Sequence, residues 1–91
     1  MKPFVWNEEK NEELKIQRGI SFDEVEEALA EGNVLDIVPH PNQNKYPGQR
    51  IFVIEIDQYA YVIPFAEDDE KIFLKTIYPS RTATKKYIIN Q

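Results

Sequence analysis

The sequence predicts an α+β domain in which two N-terminal helices precede an antiparallel meander of three to four strands and a short C-terminal helix. Apolar residues recur at helical spacing in the first third of the chain, whereas they alternate from Val34 onward. This change of period is typical of helices and strands that occupy separate parts of a chain. The 91 residues, 42% of them hydrophobic, are enough for one domain with a modest core.

Capping residues define the two N-terminal helices. Asn7 is a suitable N-cap for the first helix, which closes near Gly19 because glycine readily adopts the left-handed conformation of a helix end. Ser21, followed three residues later by Glu24, matches a capping box and predicts the start of the second helix. Gly32 ends that helix.

Strand-like segments bounded by turn residues fill the rest of the chain. We expect a brief strand or a lid on the core at Phe4–Trp6, and strands at Val34–Val38, Arg50–Ile56, Tyr59–Phe65 and Ile72–Tyr78. The segment His40–Gly48 is a loop rich in proline and asparagine, and Asp57–Gln58 is a short turn without glycine. Because Pro64 has no N–H to donate, its strand should be bulged there or exposed on that side. Ser80 is the N-cap of a final short helix, Arg81–Ile89.

Composition excludes several classes of protein. No apolar run approaches the roughly 20 residues that cross a membrane, and the N-terminus lacks the apolar stretch of a signal peptide. The absence of cysteine excludes disulfides and thiolate chemistry, and together with the single histidine it argues against a zinc site. We therefore expect a cytoplasmic domain that holds no metal or other cofactor.

Charge is divided sharply along the chain. All 16 acidic residues precede Lys71, so the last 21 residues carry a local charge of +5 within a chain of net charge −5. Nucleic-acid affinity depends on where positive charge lies rather than on its total, and this segment could therefore bind a phosphate backbone. The acids within Asp23–Glu31 lie on the polar side of the second helix, where they are either solvated or available to a basic partner.

Three basic residues could converge on one face or edge of the predicted sheet. Arg50 begins one strand, Lys75 lies within a later strand, and Arg81 directly follows that strand. Cleaving RNA through its 2′-OH needs a base, a cation for the developing phosphorane charge and an acid for the leaving oxygen. Arginine suits the second role because it binds phosphate bidentately, and lysine can move protons if its pKa is shifted. His40, the single histidine, is a further candidate for proton transfer.

Other residues of the acid-free segment could contact RNA without taking part in chemistry. Lys85 and Lys86 supply positive charge, and Tyr87 is one of several tyrosines that could stack on a base. Basic residues at strand ends and in a last helical turn also suit a solvated surface, and tyrosines suit core or rim packing. The residues alone leave both interpretations open.

Three segments resemble the BrnT-type toxin family, in the same order along the chain. Phe4–Asn11 is similar to the family's opening aromatic-x-Trp-Asp-x-x-Lys-Asn motif, and Arg18–Val25 to its Gly-Ile-Ser-Phe segment. Lys75–Tyr87 resembles the closing Ile-Ser-Ala-Arg-x-Ala-Thr segment. Arg50, which opens a strand, is similar to the family's mid-chain arginine.

This resemblance implies a single BrnT/RelE-like domain over residues 1–91, with the fold of the RelE-like toxins of bacterial type II toxin–antitoxin pairs. It further implies a metal-independent endoribonuclease that cleaves RNA and inhibits translation. A small cognate antitoxin, commonly of the ribbon-helix-helix type, would neutralise it. Lys10, Arg50 and Arg81 fall on motif residues and are implied to bind or cleave RNA. The alternative is a non-catalytic module of the same fold that binds RNA or a protein.

Overall fold

The computed structural model describes residues 2–90 and confirms the α+β class and the predicted order of helices and strands. The helices are α1 (Glu8–Arg18), α2 (Phe22–Ala30) and α3 (Arg81–Thr84), and α3 continues as a single π-helical turn over Lys85–Ile89. The strands are β1 (Phe4–Val5), β2 (Val34–Pro39), β3 (Arg50–Ile56), β4 (Tyr59–Glu67), β5 (Ile72–Leu74) and β6 (Tyr78–Pro79). No helix within residues 2–90 is long and apolar enough to cross a membrane.

The strands form one mixed sheet in the order β1-β5-β4-β3-β2, with β6 also paired to β4. Strands β2 to β5 are the predicted antiparallel meander, while β1 adds a parallel pairing to β5 at one edge. Two sequence predictions were wrong in detail. The last predicted strand is divided into β5 and β6, and the predicted helix Arg81–Ile89 is α-helical only as far as Thr84.

Side-chain caps fix the two N-terminal helices as the sequence predicts. The Asn7 side chain accepts a hydrogen bond from the Lys10 N–H, and Ser21 and Glu24 form a reciprocal capping box. Asn11 joins the helices, because its buried side-chain oxygen accepts a 2.7 Å hydrogen bond from the Phe22 N–H. Removing such a buried partner typically costs about 1–3 kcal/mol, so Asn11 is a structural residue.

The sheet separates two apolar layers. On one side, α1 and α2 pack on alternate residues of β3 and β4, and Phe22, Ile54 and Ile63 are completely buried there. On the other side, α3 and its π-helical turn cover a smaller cluster built on Val53 and Ala60. Full burial of a large apolar side chain contributes about 1.5–3 kcal/mol, so the first layer dominates the stability of the fold.

A bulge divides β5 from β6 and explains how Pro64 is accommodated. The N–H of Lys75 donates to Pro64 O, while Tyr78 pairs with Val62, so two residues, 76 and 77, stand opposite one residue of β4. In an antiparallel ladder, the backbone N and O of a residue face the same neighbouring strand. The Pro64 nitrogen, which carries no hydrogen, therefore faces Lys75 at the start of the bulge. The predicted irregularity therefore lies in the partner of β4 rather than in β4 itself.

The β3–β4 hairpin turns through two residues without glycine. Asp57 and Gln58 have φ values of 52° and 64°, which are the left-handed values that a two-residue type I′ turn requires at both positions. Asparagine, aspartate and glycine tolerate this conformation, whereas glutamine does so at a cost of about 1 kcal/mol. Gln58 is therefore a strained position that the sheet holds in place.

Replacing Gln58 with glycine should stabilise the protein. We expect the free energy of unfolding to rise by about 0.5–1 kcal/mol, because glycine adopts a positive φ without steric cost. Urea denaturation measures the change. Gln58→Ala, which keeps the Cβ, should give no gain, and an equal gain in both variants would contradict this account of the turn.

Candidate functional site

Helix α3 is fixed on β4 by hydrogen bonds at both of its ends. The Ala60 N–H donates to the Thr84 hydroxyl oxygen at 2.8 Å, and that hydroxyl in turn donates to Ser80 O. The Ser80 side chain accepts from the Ala83 N–H and caps the helix start, as the sequence predicts. Ala83 and Thr84 are buried against the sheet, so the remaining side chains of this helix face outward.

The outward side of α3 is cationic. Arg81 and Lys85 are four residues apart on exposed positions, and Lys86 is exposed beside them. Within residues 2–90, none of these three side chains forms an ion pair. Lys71 belongs to the same acid-free segment but does form an ion pair, because its ammonium lies 2.9 Å from Asp68 Oδ2.

Tyr87 anchors the π-helical turn to the edge strand β2. Its hydroxyl donates a 2.6 Å hydrogen bond to Asp36 Oδ2, and its ring packs in the smaller apolar cluster. The hydrogen bond from Tyr87 and a second one from the Ile37 N–H hold the pKa of Asp36 below its ordinary value. The Lys86 ammonium lies 5.1 Å from the centre of the Tyr87 ring. Tyr87 was predicted to contact RNA, and in the structure it joins the π-helical turn to β2.

The outer edge of β2 is closed to further strand pairing. The His40 N–H bonds Gln49 O, and by alternation Ile37 and Pro39 direct their backbone groups away from β3. Asp36 Oδ1 accepts the Ile37 N–H at 2.8 Å, and Pro39 has no N–H to offer. Such devices protect sheet edges from unwanted pairing, so a partner is not expected to dock by adding a strand here.

Arg18 contacts Tyr78 beside the bulge, and Tyr78 is three residues from both Lys75 and Arg81 in the chain. The guanidinium of Arg18, at the end of α1, donates from Nη1 to Ile77 O and lies 4.9 Å from the centre of the Tyr78 ring. Lys75 is exposed directly before the bulge, outside the strand in which the sequence predicted it. We refer to these residues and the cations of α3 and its π-helical turn together as the cationic surface. It comprises Arg18, Lys75, Tyr78, Arg81, Lys85 and Lys86.

Arg50 lies elsewhere and is neutralised. Its Nη2 is 2.5 Å from Glu67 Oε1, and Glu67 also binds Lys2 at 2.7 Å. Hydrogen bonding to Lys2, reinforced by Arg50, lowers the pKa of Glu67. The guanidinium also lies 5.1 Å from the centre of the Phe65 ring, on the side of the sheet that carries α1 and α2.

His40 and Lys10 are also separate from the cationic surface. His40 is built into the β2–β3 loop, where Nδ1 accepts from the Asn42 N–H at 3.0 Å and the ring centre lies 4.4 Å from that of Tyr46. Lys10 lies in the first turn of α1, with its backbone N–H held by the Asn7 cap. Its ammonium forms no ion pair within the described chain.

The four candidate catalytic residues do not converge. Arg50 pairs with Phe65 at one end of β4, whereas Ser80, next to Arg81, bonds Ala60 five residues away. At about 3.3 Å per residue this is roughly 17 Å along the strand, and the two arginines also lie on opposite sides of the sheet. Lys75 lies beside Pro64, one residue from the Arg50 end of β4 and four residues from Ala60.

Acidic side chains gather in a cleft between α2 and the β3–β4 hairpin. Glu24, Glu27, Glu31, Glu55 and Asp57 line about 380 Å³ of open space. Within residues 2–90, no three carboxylates or histidines are arranged to hold a metal ion. The same acids act on Tyr61, whose pKa is raised first by burial and then by Asp57 and Glu24. These five acids lie on the side of the sheet that carries α2, opposite α3.

A family model described as a domain of unknown function (DUF4258) matches residues 8–79, most of the chain. The chain belongs to this family. No curated protein and no solved structure matches it. The match runs from the first residue of α1 to the last residue of β6, so in this DUF4258 chain the helix that carries Arg81 follows the matched region.

Chemically, the cationic surface of this DUF4258 domain suits binding of a phosphate backbone. It offers two guanidinium groups and three ammonium groups, together with an exposed aromatic ring. Sequence reasoning named Lys75, Arg81, Lys85 and Lys86 but assigned no role to Arg18. No signal in the sequence pointed to Arg18, because its position beside Tyr78 depends on how α1 packs against the bulge.

The Tyr87–Asp36 contact should give the stability of this DUF4258 domain a recognisable pH dependence. Because the folded pKa of Asp36 lies below its unfolded value near 3.8, the contribution is present above that value and is lost as pH falls through the folded pKa. Tyr87→Phe should therefore lower the free energy of unfolding at neutral pH. The difference from the parent should shrink below about pH 4 as Asp36 becomes protonated.

Urea unfolding at a series of pH values measures this difference. Tyr59→Phe is the matched control, since no hydrogen bond of the Tyr59 hydroxyl is present within residues 2–90. A Tyr87→Phe effect that is the same at acidic and neutral pH would show that Asp36 is not the relevant partner.

Proposed function

We propose that this protein is the toxin component of a type II toxin–antitoxin pair and that it acts by binding RNA through its cationic surface. The observation that carries the proposal is the group of exposed cations, Arg81, Lys85 and Lys86, which form no ion pair within residues 2–90 and stand on α3 and its π-helical turn, both fixed to the sheet. The order of helices and strands and the resemblance of three sequence segments to the BrnT-type toxins support the toxin role. A cytoplasmic location belongs to the same proposal.

Unpaired cations are the physical basis for RNA binding. A cation already held by a carboxylate must give up that partner before it can neutralise a phosphate, whereas an unpaired cation binds the phosphate at no such cost. Arg50 is of the first kind because Glu67 binds it, and Arg81 is of the second. The overall charge of −5 does not oppose this role, since exposed charges farther apart than about 8 Å are largely screened at physiological salt.

The geometry favours binding over cleavage. Cleavage would form a bond from the 2′ oxygen to phosphorus and break the bond to the 5′ oxygen, with one proton leaving the 2′-OH and another reaching the 5′ oxygen. His40 and Arg50, two of the four groups expected to do this, lie away from Arg81. Cleavage is nevertheless the second candidate, because Lys75, Tyr78 and Arg81 lie beside a bulge, a feature that is common next to active sites.

The antitoxin would meet the opposite side of the molecule. The acidic cleft and the exposed acids of α2, such as Asp23 and Glu26, lie on the side of the sheet opposite α3 and complement a basic protein. A small cognate partner of the ribbon-helix-helix type is part of the proposal. It could dock there without competing for the cations of α3.

Replacing Arg81 and Lys85 with alanine should weaken RNA binding and reduce its salt dependence. Each cation that no longer neutralises a phosphate should lower the slope of log affinity against log salt by roughly 0.7 for a single strand. Fluorescence anisotropy with a labelled RNA at several salt concentrations measures both quantities. Unchanged affinity and slope would contradict the proposed surface.

Two control variants test whether RNA binding depends on the unpaired cations in particular or on positive charge in general. Lys71→Ala removes a cation of the same acid-free segment that Asp68 already neutralises, and Arg50→Gln removes the one that Glu67 neutralises. Both variants should bind RNA nearly as the parent does. If Arg50→Gln is as weak as Arg81→Ala, the functional site includes the Arg50 end of β4.

Induced expression in a bacterial host should arrest growth, and Arg81→Ala should relieve the arrest. Because the candidate proton-transfer groups are dispersed, we expect total RNA to remain full-length during the arrest. Growth curves and RNA gels provide the measurements. Normal growth of cells that express the parent would contradict the toxin role.

The RNA termini decide between the two candidate mechanisms. Fragments that end in 2′,3′-cyclic phosphate and depend on Arg81 would replace the binding mechanism with cleavage.

Co-expression of a small neighbouring reading frame should restore growth if that frame encodes the antitoxin. The matched control is Lys71→Ala, which should remain as toxic as the parent.

A further inference from the structure

Tyr78 is an aromatic residue whose exposure is not explained by packing. Its side chain is on β6 and is 46% exposed, and its ring belongs to neither apolar cluster. The neighbouring Ile77, in contrast, is completely buried. The bulge produces this difference, because it adds a residue between Lys75 and Tyr78 and changes which side chains the strand directs into the core.

Arg18 is held over this ring by a second, independent contact. Its Nη1 donates to the carbonyl oxygen of Ile77, which immediately precedes Tyr78, and its Cζ lies 4.9 Å from the ring centre. A guanidinium that is already fixed at both the backbone and the ring has little freedom left to lose when a ligand binds. The pair is therefore a preformed platform with one flat aromatic group and one flat cation.

Such a platform matches one nucleic-acid chemistry in particular. Unpaired bases stack on aromatic rings and on arginine planes, whereas the bases of a duplex are already stacked within it. The bases of a double-stranded RNA could not reach Tyr78 without being extruded. The platform thus favours a single strand over a duplex.

The nearest cations of the cationic surface are positioned to hold the backbone of the same strand. Arg81 follows Tyr78 by three residues, so their Cα atoms lie within roughly 11 Å of one another. Lys75 precedes Tyr78 by three residues on the other side of the bulge. Neither cation is paired with a carboxylate within residues 2–90, so both can contact phosphates that flank a stacked base.

We propose that Tyr78 and Arg18 form a stacking site for one unpaired base of single-stranded RNA, with Arg81 and Lys75 on the flanking phosphates. The site rests on the proposed function and deepens it, because it names single-stranded RNA as the ligand. Stacking is tolerant of base identity, since every base has a flat face. Arg18 then acts as a binding residue that contacts the base or its phosphate, rather than as part of a helix terminus only.

Binding of a labelled single strand of roughly ten nucleotides, compared with a duplex of the same length, tests the site. We expect Tyr78→Ala to weaken single-strand binding roughly 5- to 150-fold, the range for the loss of one base–aromatic stack. Duplex binding should change little. Unchanged duplex binding by Tyr78→Ala would show that this variant is still folded. Tyr78→Phe keeps the ring and should bind single strands as the parent does.

A charge-matched variant separates stacking from electrostatics. Arg18→Lys keeps the positive charge but loses the flat guanidinium, so single-strand affinity should fall while the salt slope stays the same. Tyr46→Ala is the control for a tyrosine–cation pair elsewhere, because Lys45 lies 5.5 Å from the Tyr46 ring centre in the β2–β3 loop. Its RNA binding should equal that of the parent.

A fluorescent base analogue in the strand reports stacking directly. Its emission should be quenched by the parent and by Tyr78→Phe, but not by Tyr78→Ala. If the parent binds single strands and Tyr78→Ala binds and quenches equally well, the stacking site is refuted while the proposed function stands. If the parent binds neither single strands nor duplexes, the proposed function itself fails.

Discussion

The pairing of β4 is the constraint on which the rest of the structure depends. One side of β4 pairs with β3 along a continuous ladder, and the other pairs first with β6 and then with β5 across the bulge at Thr76–Ile77. The Ala60 end binds Ser80 and Thr84 and so fixes α3. Pro64 occupies the point where the ladder is irregular, because a residue without an N–H is tolerated only there.

This arrangement lets an acidic protein present a cationic surface. The sheet lies between α2, whose acids line the cleft, and α3 with its π-helical turn, whose cations form no ion pair within residues 2–90. Five acids of the cleft are thus grouped on one side of the sheet, and Arg81 and Lys85 are exposed on the other. Under the proposed function, RNA and a basic protein partner would bind the same molecule at different places.

The separation of Arg50 from Arg81 changes the functional interpretation. The order of basic residues along the chain suggested one phosphodiester-cleaving centre, but cleavage requires its groups within hydrogen-bonding reach of a single phosphate. Glu67 holds one arginine at the far end of β4, and the other stands on α3. The groups that lie together at the bulge are flat, cationic and exposed, which suits the proposed binding of single-stranded RNA.

Local signals in the sequence determined the elements of this protein, and tertiary packing decided its site. Asn7, Ser21 and Ser80 fix helix starts because capping acts within three residues, and the alternation in β3 and β4 follows from a two-residue period. Neither the bulge between β5 and β6 nor the π-helical turn was predicted, since both depend on long-range register. The meeting of Arg18 with Tyr78, and of Tyr87 with Asp36, joins residues 60 and 51 positions apart. Only the folded sheet brings such residues together, because sequence patterns report neighbours along the chain and not across it.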